Sequence, residues 1–201
     1  MNFLAHIYLS GDNDLLMIGN FIGDGIKGNR FDHLPPDMVM GVRMHRMIDS
    51  FTDSHEIFQK SCALIRPHMG KFAGVVVDMF YDHFLASGWD HFHPVTIEEF
   101  TKAKYLVIQS HYDFLPPRFQ RMTPYMTREN WLKSYALIDN VERALLGMTN
   151  RFNLPVHLPD AIPYLEQHYE QYKSDFLRFF PEITAVSNKF LQEKGYQQII
   201  Y

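Results

Sequence analysis

Residues 35–54 read PPDMVMGVRMHRMIDSFTDS, and two kinds of side chain recur in them at helical spacing. Pro35 and Pro36 suit the opening of a helix, where a missing N–H costs nothing. Met44, Ile48 and Phe51 then fall on one apolar stripe, while His45, Asp49 and Asp53 repeat every four residues on a polar stripe beside it. A carboxylate next to a core-facing stripe is costly to bury unless it is paired or holds a metal. The stretch therefore predicts a helix that carries core and site side by side.

The same reading extends along the chain. Asp14 is expected to cap a short helix through Leu15, Leu16, Ile18, Phe21 and Ile22 that ends at Asp24 and Gly25. Lys71 to Ser87 buries Phe72, Val75, Val76, Met79, Phe80 and Phe84 on one face, with Gly88 as the stop. On that helix Asp78 and Asp82 fall at the edge of the apolar face and His83 inside it. Thr96 and Glu99 have the spacing of a capping box, opening a helix that must end before Pro116 and Pro117. Thr127–Leu146 and Leu165–Phe180 supply two more helices, closed by Gly147 and Pro181. No run of alternating β-branched residues competes, so the expected fold is all-α, a single-domain helical bundle over residues 1–201.

Composition narrows the function classes. With 201 residues, 46% hydrophobic, the chain can bury one substantial core. A single cysteine, Cys62, excludes an internal disulfide framework and cysteine-rich metal sites, and suits a reducing compartment, the cytoplasm. No apolar run approaches the roughly 20 residues of a spanning helix, so no membrane association is expected. Nineteen Lys and Arg against 23 Asp and Glu give a net charge of -4, which offers no general footprint for nucleic acid.

His6, Asp24, His45, Asp49, Asp53, Asp78, Asp82 and His83 all lie in apolar, helix-patterned segments. Singly, each has an ordinary explanation: a helix cap or solvent-facing residue for an aspartate, a packing role for His6, a hydrogen-bonded core position for His83. Together, the i to i+4 pairs His45 with Asp49 and Asp78 with Asp82 are what a bundle needs to bring ligands to one ion. Carboxylate and imidazole without thiolate suit Mn²⁺, Mg²⁺ or Fe²⁺, with Zn²⁺ as an alternative. Phosphate-binding loops, nucleophile elbows and H-E-x-x-H helices are absent from the sequence.

Met1-Asn2-Phe3-Leu4-Ala5-His6, Gly19-Asn20-Phe21-Ile22-Gly23-Asp24, Met44-His45-Arg46 with Ile48-Asp49, Thr52-Asp53 and Asp82-His83-Phe84-Leu85 resemble the acyl carrier protein phosphodiesterase family. Pro116-Pro117-Arg118-Phe119, Trp131-Leu132, Leu146-Gly147-Met148 with Arg151, and Phe179-Phe180-Pro181 continue the likeness in the same order. The resemblance implies a cytoplasmic bacterial enzyme that removes 4′-phosphopantetheine from holo acyl carrier protein, with Mn²⁺ preferred. It also implies a variant of the HD-type metal phosphohydrolases, although no histidine here precedes an aspartate and the nearest arrangement is the reversed Asp82-His83.

The resulting expectations are specific. His6, Asp24, His45 and Asp82 are expected on the metal, with Asp49 and Asp78 beside it and one of these two acting as general base. Arg46 is expected to pair with the nonbridging phosphoryl oxygens. Lys27, Arg30, Arg43 and Arg118 are expected to form a basic rim for the acidic carrier, with Arg121 as a further candidate. Two other readings stand beside this one: a phosphohydrolase acting on a nucleotide such as a guanosine polyphosphate, and a noncatalytic helical module that binds carrier protein.

Overall fold

A computed structural model describes residues 1–29, 31 and 33–199. Its α-helices are α1 (Phe3–Tyr8), α2 (Asp14–Phe21), α3 (Pro36–Ser54), α4 (Glu56–Met69), α5 (Ala73–Ser87), α6 (Ile97–Ser110), α7 (Pro117–Arg128), α8 (Trp131–Ser134), α9 (Ile138–Phe152), α10 (Ile162–Gln167) and α11 (Tyr169–Glu193). No strand occurs among the described residues, so the all-α expectation holds. No helix of these residues is long and apolar enough to cross a membrane.

The core forms one continuous cluster to which all eleven helices contribute side chains. α5 lies within it, with Val76, Val77, Met79, Phe80, Tyr81 and Leu85 fully buried. Tyr81 and Phe176 pack edge to face across α5 and α11, with ring centres 5.5 Å apart. Cys62 is a core residue of α4.

α2 and α3 cross with their backbones almost touching. A Cβ on Gly19 would overlap the Met38 carbonyl, and one on Gly41 would overlap the Leu16 carbonyl. Only glycines allow this approach, which brings Asn20 of α2 against His45 of α3. The short α1 is held from elsewhere: buried Asp82 on α5 accepts the amides of Leu4 at 2.8 Å and of Asn2 and Ala5 at 3.3 Å each. These bonds satisfy N–H groups that a helix start leaves unpaired.

Some boundaries differ from the pattern-based expectation. Asn13, not Asp14, caps α2, accepting the amide of Leu16. Glu56–Met69 forms a full helix that the stripes around it left unassigned. The expected helix over 127–146 is broken, because Asn130 takes a left-handed conformation and caps α8. Gly147 does not end α9, which runs to Phe152 and closes on left-handed Asn153. Pro181 lies inside α11; the carbonyl its ring deprives of a partner belongs to Leu177, a residue 48% exposed. Val75 is 41% exposed rather than buried. The Thr96–Glu99 capping box forms as expected.

Gly41→Ala should destabilise the protein by about 3 kcal/mol or more, because the clash is with rigid backbone. Urea unfolding measures this; a loss below about 1 kcal/mol would show that the helix crossing relaxes freely.

Candidate metal centre

Three histidine and carboxylate side chains converge where α1, α2 and α3 meet. His6, His45 and Asp49 each place a ligand atom within 4.8 Å of the others, a group that could hold a metal ion. Nε2 of His6 lies 3.2 Å from one Asp49 oxygen, and Nε2 of His45 lies 3.1 Å from the other. The two rings stack with centres 4.1 Å apart. Asp24, on the turn Gly23–Gly25, brings Oδ1 to 3.3 Å from His45 Nε2. Gly23 makes that turn feasible, since a Cβ there would overlap the His45 ring.

Asn20 fixes the protonation of both rings. Its Nδ2 donates to the His6 carbonyl and to Ser10 Oγ, both at 2.9 Å, which leaves Oδ1 as an acceptor. His6 Nδ1 therefore donates to Oδ1 at 2.8 Å, and His45 Nδ1 donates to the Asn20 backbone carbonyl, also at 2.8 Å. Each ring, when neutral, then presents its Nε2 lone pair to Asp49, and that of His6 also faces the Met1 carbonyl at 3.1 Å. Two lone pairs aimed at one carboxylate require a proton or a cation between them, and rings oriented in this way by a hydrogen bond from Nδ1 are what metal-binding histidines display.

The titration behaviour agrees. Burial opposes charging His45, but hydrogen bonds to Asp24 and Asp49 outweigh it and lift its pKa from 6.5 to about 9. His6, buried beside His45, is held below its ordinary value. Asp49 is held well below the carboxylate range by both imidazoles despite its burial, and Asp24 is lowered by the His45 bond. Asp78, paired at 2.6 Å with the ammonium of Met1, is pushed up to about 6 by burial.

These residues line a cleft of about 450 Å³ that also receives Asp53, Asp78, Lys71, Arg118 and Arg151. The family described as acyl carrier protein phosphodiesterase matches residues 1–183. The chain belongs to this family. The acyl carrier protein phosphodiesterases of Yersinia pestis and of Klebsiella pneumoniae strain 342 are each 33% identical to it, over 90% and 93% of this chain and 94% and 97% of their own lengths. That of Salmonella agona is 32% identical over 92% of the chain and 96% of its own. No solved structure matches the chain.

Within the phosphodiesterase fold, His6, His45, Asp49 and Asp24 come together as one group, and Asp78 faces the same cleft. Asp82 does not join them, because its oxygens are occupied by the amides at the start of α1. His83 bonds the Tyr135 carbonyl and the Tyr169 hydroxyl, a satisfied core histidine. Arg46 donates to the carbonyls of Ile26 and Gly28 and to Asn29, so its guanidinium braces that loop instead of turning into the cleft. Lys27 and Arg43 are exposed but do not line the cleft, and Arg43 sits over Phe31. Arg30 lies outside the described residues. Arg118 does reach the cleft, 3.6 Å from Asp24.

Asn20 and Arg151 carry no function in the pattern-based reading, although both fall in its family-like stretches. An asparagine inside the apolar Met17–Ile22 segment is the signal for the first. The second stands four residues after Gly147, on the helix face of Met148.

The proton on His45 sets a pH dependence. A folded-state pKa raised from 6.5 to about 9 gives stabilisation that is complete below about 6.5 and lost as pH rises through about 9. The metal-free protein should therefore lose thermal stability between pH 7 and 9, and His45→Gln should remove that part of the slope. A divalent ion competes with the same proton, so saturating Mn²⁺ should raise Tm more at pH 8 than at pH 6. Equal shifts at both pH values would place the ion elsewhere.

Proposed function

We propose that the protein hydrolyses the phosphodiester joining 4′-phosphopantetheine to the serine of holo acyl carrier protein, in the cytoplasm, giving apo carrier and 4′-phosphopantetheine. The observation that carries this reading is the convergence of two Nδ1-anchored imidazoles and one carboxylate at the floor of an open cleft. Its substrate comes from the printed name of the family and its relatives.

His6, His45 and Asp49 would hold a divalent ion, with Asp24 beside them; the nitrogen and oxygen donor set favours Mn²⁺, with Mg²⁺, Fe²⁺ and Zn²⁺ as alternatives. Bound there, the ion would supply positive charge to the phosphoryl oxygens and make water acidic enough to deprotonate near neutral pH. Asp78 is the proposed general base: it faces the cleft, and a pKa of about 6 leaves it ionised at neutral pH yet able to accept a proton. Asp78 takes a proton from the water as its oxygen bonds to phosphorus, the bond from phosphorus to the seryl oxygen breaks, and that oxygen leaves with the proton returned from Asp78 through solvent. Arg118 and Arg151, both lining the cleft, take over from Arg46 as partners of the nonbridging oxygens. Asp82 serves by holding α1, and through it His6, in place.

The HD-type relationship is also part of the proposal. His45 and Asp49, one helical turn apart on α3, stand in for the adjacent His-Asp pair of those enzymes.

Incubation of holo acyl carrier protein with the Mn²⁺-loaded protein should remove the mass of phosphopantetheine from the carrier, and exhaustive chelation should abolish the loss. Asp49→Ala should cost about 10³-fold or more in kcat with helicity unchanged. An unchanged carrier mass overturns the reaction; full turnover with metal confirmed absent overturns the site.

A further inference from the structure

A second cavity, of about 410 Å³, lies between α8, α9 and the start of α1. It shares Phe3, Met148 and Arg151 with the metal-centre cleft, so the two are contiguous. Trp131 and Ala144 add apolar wall, and Asn140 and Arg143 bring polar groups. Its size falls in the roughly 300–1,000 Å³ range of small-molecule sites.

Two features point to the occupant. Arg151 stands where the cavities join, and among the described residues it has no acidic partner: its contacts are the Met122 sulfur at 3.8 Å and the Phe152 ring. Arg143 likewise makes no ion pair among the described residues and bonds only the Asn140 side chain, at 3.3 Å. Glu129 also lines the cavity, its carboxylate engaged by Arg128 at 2.8 Å and by the Trp131 indole at 3.1 Å; two further cations without acidic partners beside a mixed apolar and amide-capable cavity fit a phosphate monoester or diester whose substituent is a long, uncharged, amide-containing chain.

We propose that this cavity takes the pantetheine arm of the substrate, with its phosphate held at Arg151 and its thiol end running along α9 past Gly147. The inference rests on the carrier-protein reading above. Apolar walls meet the dimethyl and methylene groups of the arm, and Asn140 and Arg143 meet its amides. The arm thus binds to the α8–α9 side of the phosphate, and the carrier protein remains on the other side, toward Arg118 and α7.

The experiment uses Gly147→Cys. No atom lies within 4 Å of a Cβ at this position, so the variant has room. Pantethine, the disulfide of pantetheine, is the probe. The introduced thiolate attacks one sulfur of pantethine, a protein–pantetheine disulfide forms, and one pantetheine leaves as the thiolate and takes a proton. Native Cys62 is silent, being buried with its thiol pushed up to about 12. Leu137→Cys, at a residue 63% exposed, is the control.

Gly147→Cys should favour pantethine over hydroxyethyl disulfide by about tenfold more than Leu137→Cys does, because binding raises the local concentration of the reacting sulfur. Added 4′-phosphopantetheine should suppress that preference. Ala144→Cys, on the same wall, gives the same readout should Gly147→Cys fail to fold. Equal preferences at the cavity and control positions, with wild-type protein still stripping holo carrier, overturn the cavity assignment alone. Equal preferences together with no wild-type turnover overturn the reaction as well.

Discussion

Asn20 joins three helices through one residue. Its side chain accepts a hydrogen bond from His6 Nδ1 and donates to the carbonyl of the same histidine and to Ser10, while its backbone carbonyl accepts from His45 Nδ1. Every polar atom of a fully buried amide is thereby used, which removes the cost of its burial and leaves a single arrangement of the two rings. The glycine crossing of α2 and α3 exists in service of this contact, since wider helix spacing would take the Asn20 carbonyl out of reach of His45.

The charges around that contact are graded by depth. The acidic groups nearest the imidazoles are partly open to the cleft, whereas Asp82, without access to it, is used up by backbone amides. Lys71, Arg118 and Arg151 line the cleft together with its carboxylates and offset their charge. For an anion in this cleft those cations would offset the repulsion of Asp24, Asp49, Asp53 and Asp78.

Much of this was legible in the order of residues. The two stripes of α3 specify both its buried face and its site-facing one, because helical periodicity carries that information locally. The grouping of His6 and Asp24 with them is a matter of tertiary approach and follows only from family-like motifs. Asp82 and Arg46 show the limit of spacing: carboxylates and guanidinium groups serve backbone amides and carbonyls as readily as ions and phosphates, and nothing in their periodicity separates the uses. The helix ends missed at Gly147 and Pro181 have a related cause. Gly147 in α9 adopts ordinary helical geometry, and Pro181 removes only one bond, at half-exposed Leu177, so neither residue is a stop.

The tie between Asp82 and the start of α1 spans 78 positions, and α1 itself has six residues. A helix that short does not sustain itself in water, so α1 takes shape only after α5 has been laid into the core. His45 and Asp49 are neighbours on one helix, whereas His6 is placed only through the tie of α1 to α5. A chain with that tie broken would keep two of the three candidate donors together and lose the third. The candidate centre is thus a product of the completed topology, unlike the small metal-templated domains in which the ion organises the chain.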